Sequence, residues 1–213
     1  MTRDIIIVGA GGWGRELAWI LERINEVTPS WRILGFSDDD PAKASGSLEG
    51  YPLLGAVEKA SKDHPSASML LAVGDNSVRA ALYGRLRGHD FPAIIDPSAV
   101  VAPTVEMRHG VFIGPNAVVA SGAELGKFAI VNTHAGVGHD CRVGDFAQLC
   151  PGARLSGGST LGAHALMGSN SCTCPGISVG AGAKVAAGLP VYADVPDGAT
   201  LSPFGLFGRA SKQ

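Results

Sequence analysis

An α/β nucleotide-binding half domain followed by a parallel β-helix is the fold class this sequence predicts, on three observations. A strand-like run, Asp4 to Val8, leads straight into Gly9-Ala-Gly11-Gly-Trp-Gly14 and then a helical pattern. From Ile95 onward an aliphatic residue recurs at every sixth position. The two parts also differ in composition, since Gly and Ala crowd the second while most Arg, Leu and Glu precede residue 90. The predicted domains are residues 1–92 and 93–213.

The Ile-rich run at Asp4 to Val8 fits a buried parallel strand. Leu17, Ile20, Leu21 and Ile24 then recur at helical spacing and would pack on a sheet. A second strand is expected at Arg32 to Phe36, running into Ser37-Asp38-Asp39-Asp40, and a third at Met69 to Val73, followed by Gly74-Asp75-Asn76. Asp75 or Asn76 can cap a helix over Ser77 to Arg87 by accepting its free N–H groups.

Glycines lacking a Cβ let the backbone approach a phosphate, and the helix start beyond them offers unpaired N–H groups and a positive dipole end. The G-x-G-x-x-G spacing, with an acidic residue after the second strand, is also the dinucleotide fingerprint. Only about 90 residues precede the repeats, enough for one mononucleotide-binding half rather than two. The reading is a nucleotide-diphosphate site without nicotinamide chemistry; the alternative is a glycine turn serving only close helix–sheet packing.

The period of six starts at Ile95 and continues through Val101, Met107, Ile113 and Val119 to Val191, interrupted only by Thr173. Four residues after each of these stands a small residue in most hexads, including Ala117, Ala123, Ala129, Ala135, Cys141 and Ala147. Such a hexapeptide period marks a β-solenoid in which each hexad forms one flat side. Three hexads close an 18-residue triangular coil, so the run makes between five and six coils stacked at roughly 4.8 Å. Large side chains are not expected at the corners. Flat outer faces favour pairing about a threefold axis, and a homotrimer is expected.

The formal net charge of −2 and pI near 6.3 leave no basic surface for nucleic acid. The apolar run at Ile5 to Val8 is too short for a signal sequence or a membrane span, and a cytoplasmic location is expected. Cys141, Cys150, Cys172 and Cys174 fit a reducing compartment rather than a disulfide framework. The Cys172-x-Cys174 pair lacks a second such pair or a histidine at ligand spacing, and no metal is expected.

In the segment VNTHAGVGHD, residues 131–140, His139 takes the third place of its hexad and points outward, with Asp140 directly after it. A neighbouring carboxylate fixes the imidazole tautomer, which suits a general base. His134 falls in the preceding hexad, on another side or corner of the coil. The spacing His134-x4-His139 is also that of two zinc ligands in hexapeptide-repeat carbonic anhydrases. Those need a third histidine two coils earlier, where this chain has Ser98 and Pro103, and His109 is out of phase.

Together, GAGGWG, Asp38-Asp39, Gly74-Asp75-Asn76-x-x-Arg79, the Asn132 to Asp140 segment, Val143-Gly144-Asp145-Phe146 and Asn170-Ser171-Cys172 resemble one family across both domains. It is the hexapeptide-repeat sugar acyltransferases of the sialic acid O-acetyltransferase type, and within them the bacillosamine-pathway N-acetyltransferases of nucleotide-linked 4-amino sugars. The resemblance implies a Rossmann-like first half and a left-handed β-helix. It implies acetyl-CoA as acyl donor, His139 as catalytic base and Asp140 as its orienting partner. A nucleotide-activated amino sugar of the 4-amino-4,6-dideoxy type would meet Gly11, Gly12, Trp13, Gly74 and Asn76, with Asp38 and Asp39 on the nucleoside.

Acetyl-CoA would run along the groove between adjacent prisms, near Gln148, Ser169 and Ala187. Three departures stand out: Trp13 and Gln148 occupy places where relatives often carry His, and a Thr-Leu-Ser202-Pro203-Phe204-Gly205 tail replaces the usual G-x-P-A. The implied function is N-acetylation for surface glycan biosynthesis. Sugar O-acetylation and a non-catalytic nucleotide-sugar-binding trimer are the alternatives.

Overall fold

The structure, a computed structural model, describes residues 2–207. It divides into two compact units whose boundary in sequence follows Pro92. The tail beyond residue 207 lies outside the described residues.

In the first unit, β1 (Arg3–Val8), β2 (Trp31–Ser37) and a later strand form a parallel sheet. Between β1 and β2 lies α1 (Gly12–Val27), which buries Leu17, Ala18, Ile20 and Leu21. A small hairpin, β3 (Ser47–Leu48) and β4 (Tyr51–Pro52), precedes α2 (Val57–Asp63). The third sheet strand, β5 (Ser68–Leu71), pairs with β1 and leads to α3 (Asn76–Arg85), giving the order β2-β1-β5. Ile5, Ile6 and Ile7 are fully buried, as a central parallel strand requires.

The second unit is a three-sided, left-handed parallel β-helix of about six turns. Strands pair at a fixed 18-residue offset, for example Val118 with Val100 and Gly136. Its first face carries Ile94–Ile95 and the strands stacked on it, its second Val100–Val101, its third Glu106–Met107. Of each strand pair, the second residue enters the prism: the aliphatic members from Ile113 to Val191 are at most 3% exposed. Ala117, Ala123, Ala129 and Ala135 fill the remaining narrow space with at most 1% exposure. Met107 departs from the expectation at 36% exposed, because its strand is the terminal one of its sheet.

The exclusion of large corner residues is overturned. Phe128, Phe146 and His164 occupy the edge between the third and first faces, one coil apart, with φ between 54° and 59°. Side chains at this place leave the prism, so its narrow bore sets no limit on their size. The Phe128 and Phe146 rings stack at 5.1 Å, and Phe146 and His164 at 5.3 Å. The period itself tightens at the end: Lys184 pairs with Thr200, a 16-residue step, and Thr200–Ser202 then folds back antiparallel on Gly205–Phe207. The tail sequence that replaces G-x-P-A is thus a hairpin, with Phe204 at its tip, 89% exposed. Among the described residues no helix is long and apolar enough to cross a membrane.

Candidate functional sites

In the first unit the glycines of the turn serve two ends. A Cβ on Gly9 would stand 2.6 Å from Ala72 O, and one on Gly14 would stand 2.1 Å from Gly9 O, so these two permit packing. Gly11, Gly12 and Gly74 have no protein atom within 4 Å of such a Cβ. Packing does not require glycine there, and its absence of side chain leaves backbone open to an approaching ligand. Helix α1 begins at this opening with Gly11 as N-cap, no side-chain cap and no acidic residue in its first turn, so none of its own side chains covers the dipole end. Trp13 is half-buried in the first turn of the helix.

Asp38 and Asp39, at the end of β2, are both engaged. Asp38 Oδ2 accepts from Ala10 N–H and from Lys43 Nζ, each at 2.8 Å, and Oδ1 accepts from Asp40 N–H at 3.0 Å. Burial alone would raise its pKa; the Lys43 and amide hydrogen bonds outweigh that and lower it. Asp39 is held low chiefly by Arg85, whose Nη1 donates to Oδ2 at 2.7 Å, while Val57 N–H donates to Oδ1 at 3.0 Å. Asp38, Asp39 and Arg85, with Val8, Gly9, Ser37, Val57, Val73, Val78, Ala81 and Leu82, line a cavity of about 240 Å³. Its apolar wall with a polar end suits a planar heterocycle.

The cap of α3 is Asp75, whose carboxylate accepts from Ser77 and Val78 N–H. Asn76 is the first helical residue; it is buried, and its Oδ1 accepts from Arg79 Nη2 at 2.9 Å. Arg79, 1% exposed, also donates to Val73 O and Gly74 O and so fastens the Gly74 loop from beneath. Burial pushes its pKa down to about 10. Sequence reasoning saw Arg79 only as part of a motif.

In the second unit, His139 and Asp140 sit on the edge between the second and third faces. His139 Nδ1 lies 2.8 Å from Asp140 Oδ2, and both side chains are exposed, at 69% and 73%. The left-handed turn at Asp140, φ 57°, swings its carboxylate back to the ring. This leaves Nε2 without a hydrogen-bond partner among the described residues, on the side of the ring that faces Gly157 of the next coil. His134 lies on the neighbouring edge between the first and second faces. Ser169 and Ala187 lie on that same edge, one coil apart, with Gly188 N–H donating to Ser169 O at 2.8 Å, and Gln148 opens a strand of the first face. Within one chain the structure does not bring these three to His139.

Among the described residues no cluster of three or more His, Cys, Asp or Glu could hold a metal ion. Two residues beside His139 escaped the sequence reading, Gly157 and Gly158, although counting one coil, 18 residues, onward from His139-Asp140 reaches them directly.

Residues 4–86 match the PglD N-terminal domain, and residues 158–193 match the hexapeptide repeat of succinyl-transferase. The acetyltransferase domain of PglB from Neisseria gonorrhoeae FA1090 is 30% identical, with a TM-score of 0.86 covering 97% of this chain and 99% of that one. PerB from Caulobacter crescentus, solved with CoA and GDP-perosamine, is 30% identical, with a TM-score of 0.86 covering 96% of this chain and 97% of that one. The UDP-N-acetylbacillosamine N-acetyltransferase of Bacillus subtilis (strain 168) is 34% identical over 116 residues, 52% of this chain and 51% of that protein. The match thus spans about half the length of that curated relative.

Proposed function

Since this chain belongs to the hexapeptide-repeat family of sugar N-acetyltransferases, we propose that it transfers the acetyl group of acetyl-CoA to the amine of a nucleotide-linked amino sugar. The acceptor is of the 4-amino-4,6-dideoxy type, the setting cytoplasmic surface glycan biosynthesis, and the working unit a homotrimer. The observation that carries this reading is the His139–Asp140 pair on an outward edge, with Nδ1 held at 2.8 Å and Nε2 left open.

In the reaction, the neutral sugar amine attacks the thioester carbonyl, and Nε2 of His139 takes the proton that the nitrogen sheds. The C–S bond breaks and the imidazolium returns the proton to the departing thiolate. Asp140 holds the ring in the tautomer that leaves Nε2 basic. The carbonyl oxygen gains charge in between, and a preorganised N–H is the group to hold it. Gly157 supports that role: its N–H donates to none of the described residues, and its backbone lies against the imidazole.

The nucleotide belongs to the first unit, its phosphates at Gly11, Gly12, Trp13, Gly74 and Asn76 and its nucleoside toward Asp38 and Asp39. The pantetheine arm belongs along Gln148, Ser169 and Ala187 of a neighbouring copy.

The test is thiol release from acetyl-CoA with UDP-, GDP- and dTDP-linked amino sugars. His139→Ala should lower kcat by roughly 10²- to 10⁴-fold, the usual worth of a general base. Unchanged transfer would eliminate His139 as the base. Treating the product with alkaline hydroxylamine separates an amide, which survives, from the ester an O-acetyltransferase would make.

A further inference from the structure

The third place of each hexad on the His139 edge holds, coil after coil, Ser121, His139, Gly157 and Pro175. Ser121 and Pro175 demonstrate that the coil accepts side chains at this place. Gly157 is not in the left-handed region either, unlike Gly158 at φ +68°, so its backbone conformation does not call for glycine. What does call for it is the imidazole. A Cβ on Gly157 would stand 2.4 Å from His139 Nε2, 2.7 Å from Cε1 and 3.0 Å from Cδ2. The closest of these atoms is the nitrogen that Asp140 leaves open.

The turn bearing Gly157 is also hung differently from its equivalents. Elsewhere the residue that leaves a strand donates its N–H to a carbonyl one coil on: Gly138 to Leu155 O at 2.7 Å, Gly144 to Leu161 O at 2.8 Å, Cys150 to Met167 O at 2.9 Å. Ser156 N–H instead donates to Thr173 Oγ1 at 2.9 Å, and Ser156 Oγ donates to Thr173 O at 2.6 Å. The Leu155–Thr173 pair is accordingly missing, and Arg154 with Cys172 is the one pair between these two strands, although Leu155 still pairs with Val137 and Thr173 with Val191. Thr173 is the one interruption of the aliphatic period, and it falls under the turn that faces His139. The seat of Asp140 is less particular. Its Oδ1 lies 2.5 Å from where a Gly122 Cβ would be, but Asn170, preceded by Ser169 rather than a histidine, lies over Gly152 in the same way.

We propose that Gly157 and Thr173 are positioning residues for His139: glycine leaves the space into which Nε2 projects, and the Thr173–Ser156 exchange sets the height of the turn beside it. This rests on His139 being the base. A methyl group at Gly157 displaces the ring by about an ångström, and a misplacement of that size lowers turnover by up to roughly a hundredfold.

The experiment compares Gly157→Ala, His139→Ala and the double variant in the acetyl-transfer assay, with thermal midpoints measured alongside. Gly157→Ala keeps the amide and places its methyl outside the prism. It should lower kcat roughly ten- to a hundredfold, leave the KM of both substrates within about twofold, and cause no further loss in the His139→Ala background. Thr173→Val should lower kcat in the same direction, while Thr173→Ser, which keeps the hydroxyl, restores it. Near-normal turnover in Gly157→Ala, when His139→Ala is inactive, overturns the proposal and leaves the base intact. Full activity in His139→Ala removes the base itself. Should Gly157→Ala fold poorly, recovery in the double variant supports the contact with the imidazole, and a defect that persists there refutes it.

Discussion

Asp38 occupies the position the family resemblance gives to a nucleoside contact, yet its carboxylate already works inside the protein. Replacing it with Ala separates the two roles. The methyl group leaves Ala10 N–H, Lys43 Nζ and Asp40 N–H without this acceptor. Ala10 is 7% exposed, so its N–H would be left buried without an acceptor, at a cost of about 1–3 kcal/mol. The Lys43 ion pair, with the lysine side chain 34% exposed, adds at most about 1 kcal/mol. Asp38→Ala should therefore destabilise the ligand-free first unit by about 2–3 kcal/mol. All three tryptophans, Trp13, Trp19 and Trp31, lie in that unit, so their fluorescence in a urea titration reports on it selectively. At an m value of about 2 kcal/mol/M the midpoint moves by roughly 1 M. A shift under about 0.2 M refutes the bracing role and leaves Asp38 as a ligand contact only.

Three further outcomes are expected. Asp140→Ala removes the acceptor on Nδ1 and should lower kcat by more than the roughly fivefold that a fully exposed pair is worth, but by less than His139→Ala, which removes the base; unchanged turnover in the thiol-release assay would contradict the orienting role. Phe146→Ala removes two ring stacks and a buried side chain, for about 2–4 kcal/mol by circular dichroism in denaturant. Phe146→Asn should recover about 1 kcal/mol of that, because Asn tolerates the left-handed backbone at φ 59°. The carboxyl of Asp39, lowered by Arg85, contributes stability that is complete above the ordinary carboxylate value of about 3.9 and is lost as pH falls through its depressed folded value. Tryptophan-monitored stability should thus hold from pH 7 to about 5 and fall below about 4, with a shallower fall in Asp39→Asn.

The coil was legible because every hexad repeats one contact: a branched residue and a small one entering the same narrow bore. Side chains that leave the prism obey no such repeat. Phe128, Phe146 and His164 were therefore invisible as a stack until the 18-residue register placed them one above another. Met107 obeys the period and is still exposed, since periodicity says nothing of which coil ends the stack. The glycine turn was legible as a motif, but its division into packing glycines (Gly9, Gly14) and open ones (Gly11, Gly12) depends on neighbours distant in sequence. The role of Thr173 was within reach: a single polar residue in an aliphatic series is a signal, though what it hydrogen-bonds is not written in the series.

The three edges of the prism have diverged under one backbone rule. Each turns through a left-handed residue, so each is free to take Gly, Asn, Asp or a ring that pays for the strain by stacking. One edge spends this on aromatic rings, and another carries Asn116, His134, Asn170, Ser169 and Ala187. The edge of His139 keeps Gly122, Gly158 and Gly176 around a lone Asp140. On the proposed reading the base and the pantetheine contacts thus stand on neighbouring edges of each chain, separated by the whole second face. A base left 69% exposed also lacks the water exclusion that strengthens charge stabilisation in an acyl transfer. In the proposed homotrimer both deficits would be met by one arrangement, in which the His139 edge of one copy closes on the first face of the next, so that each chain would supply two halves of different active sites.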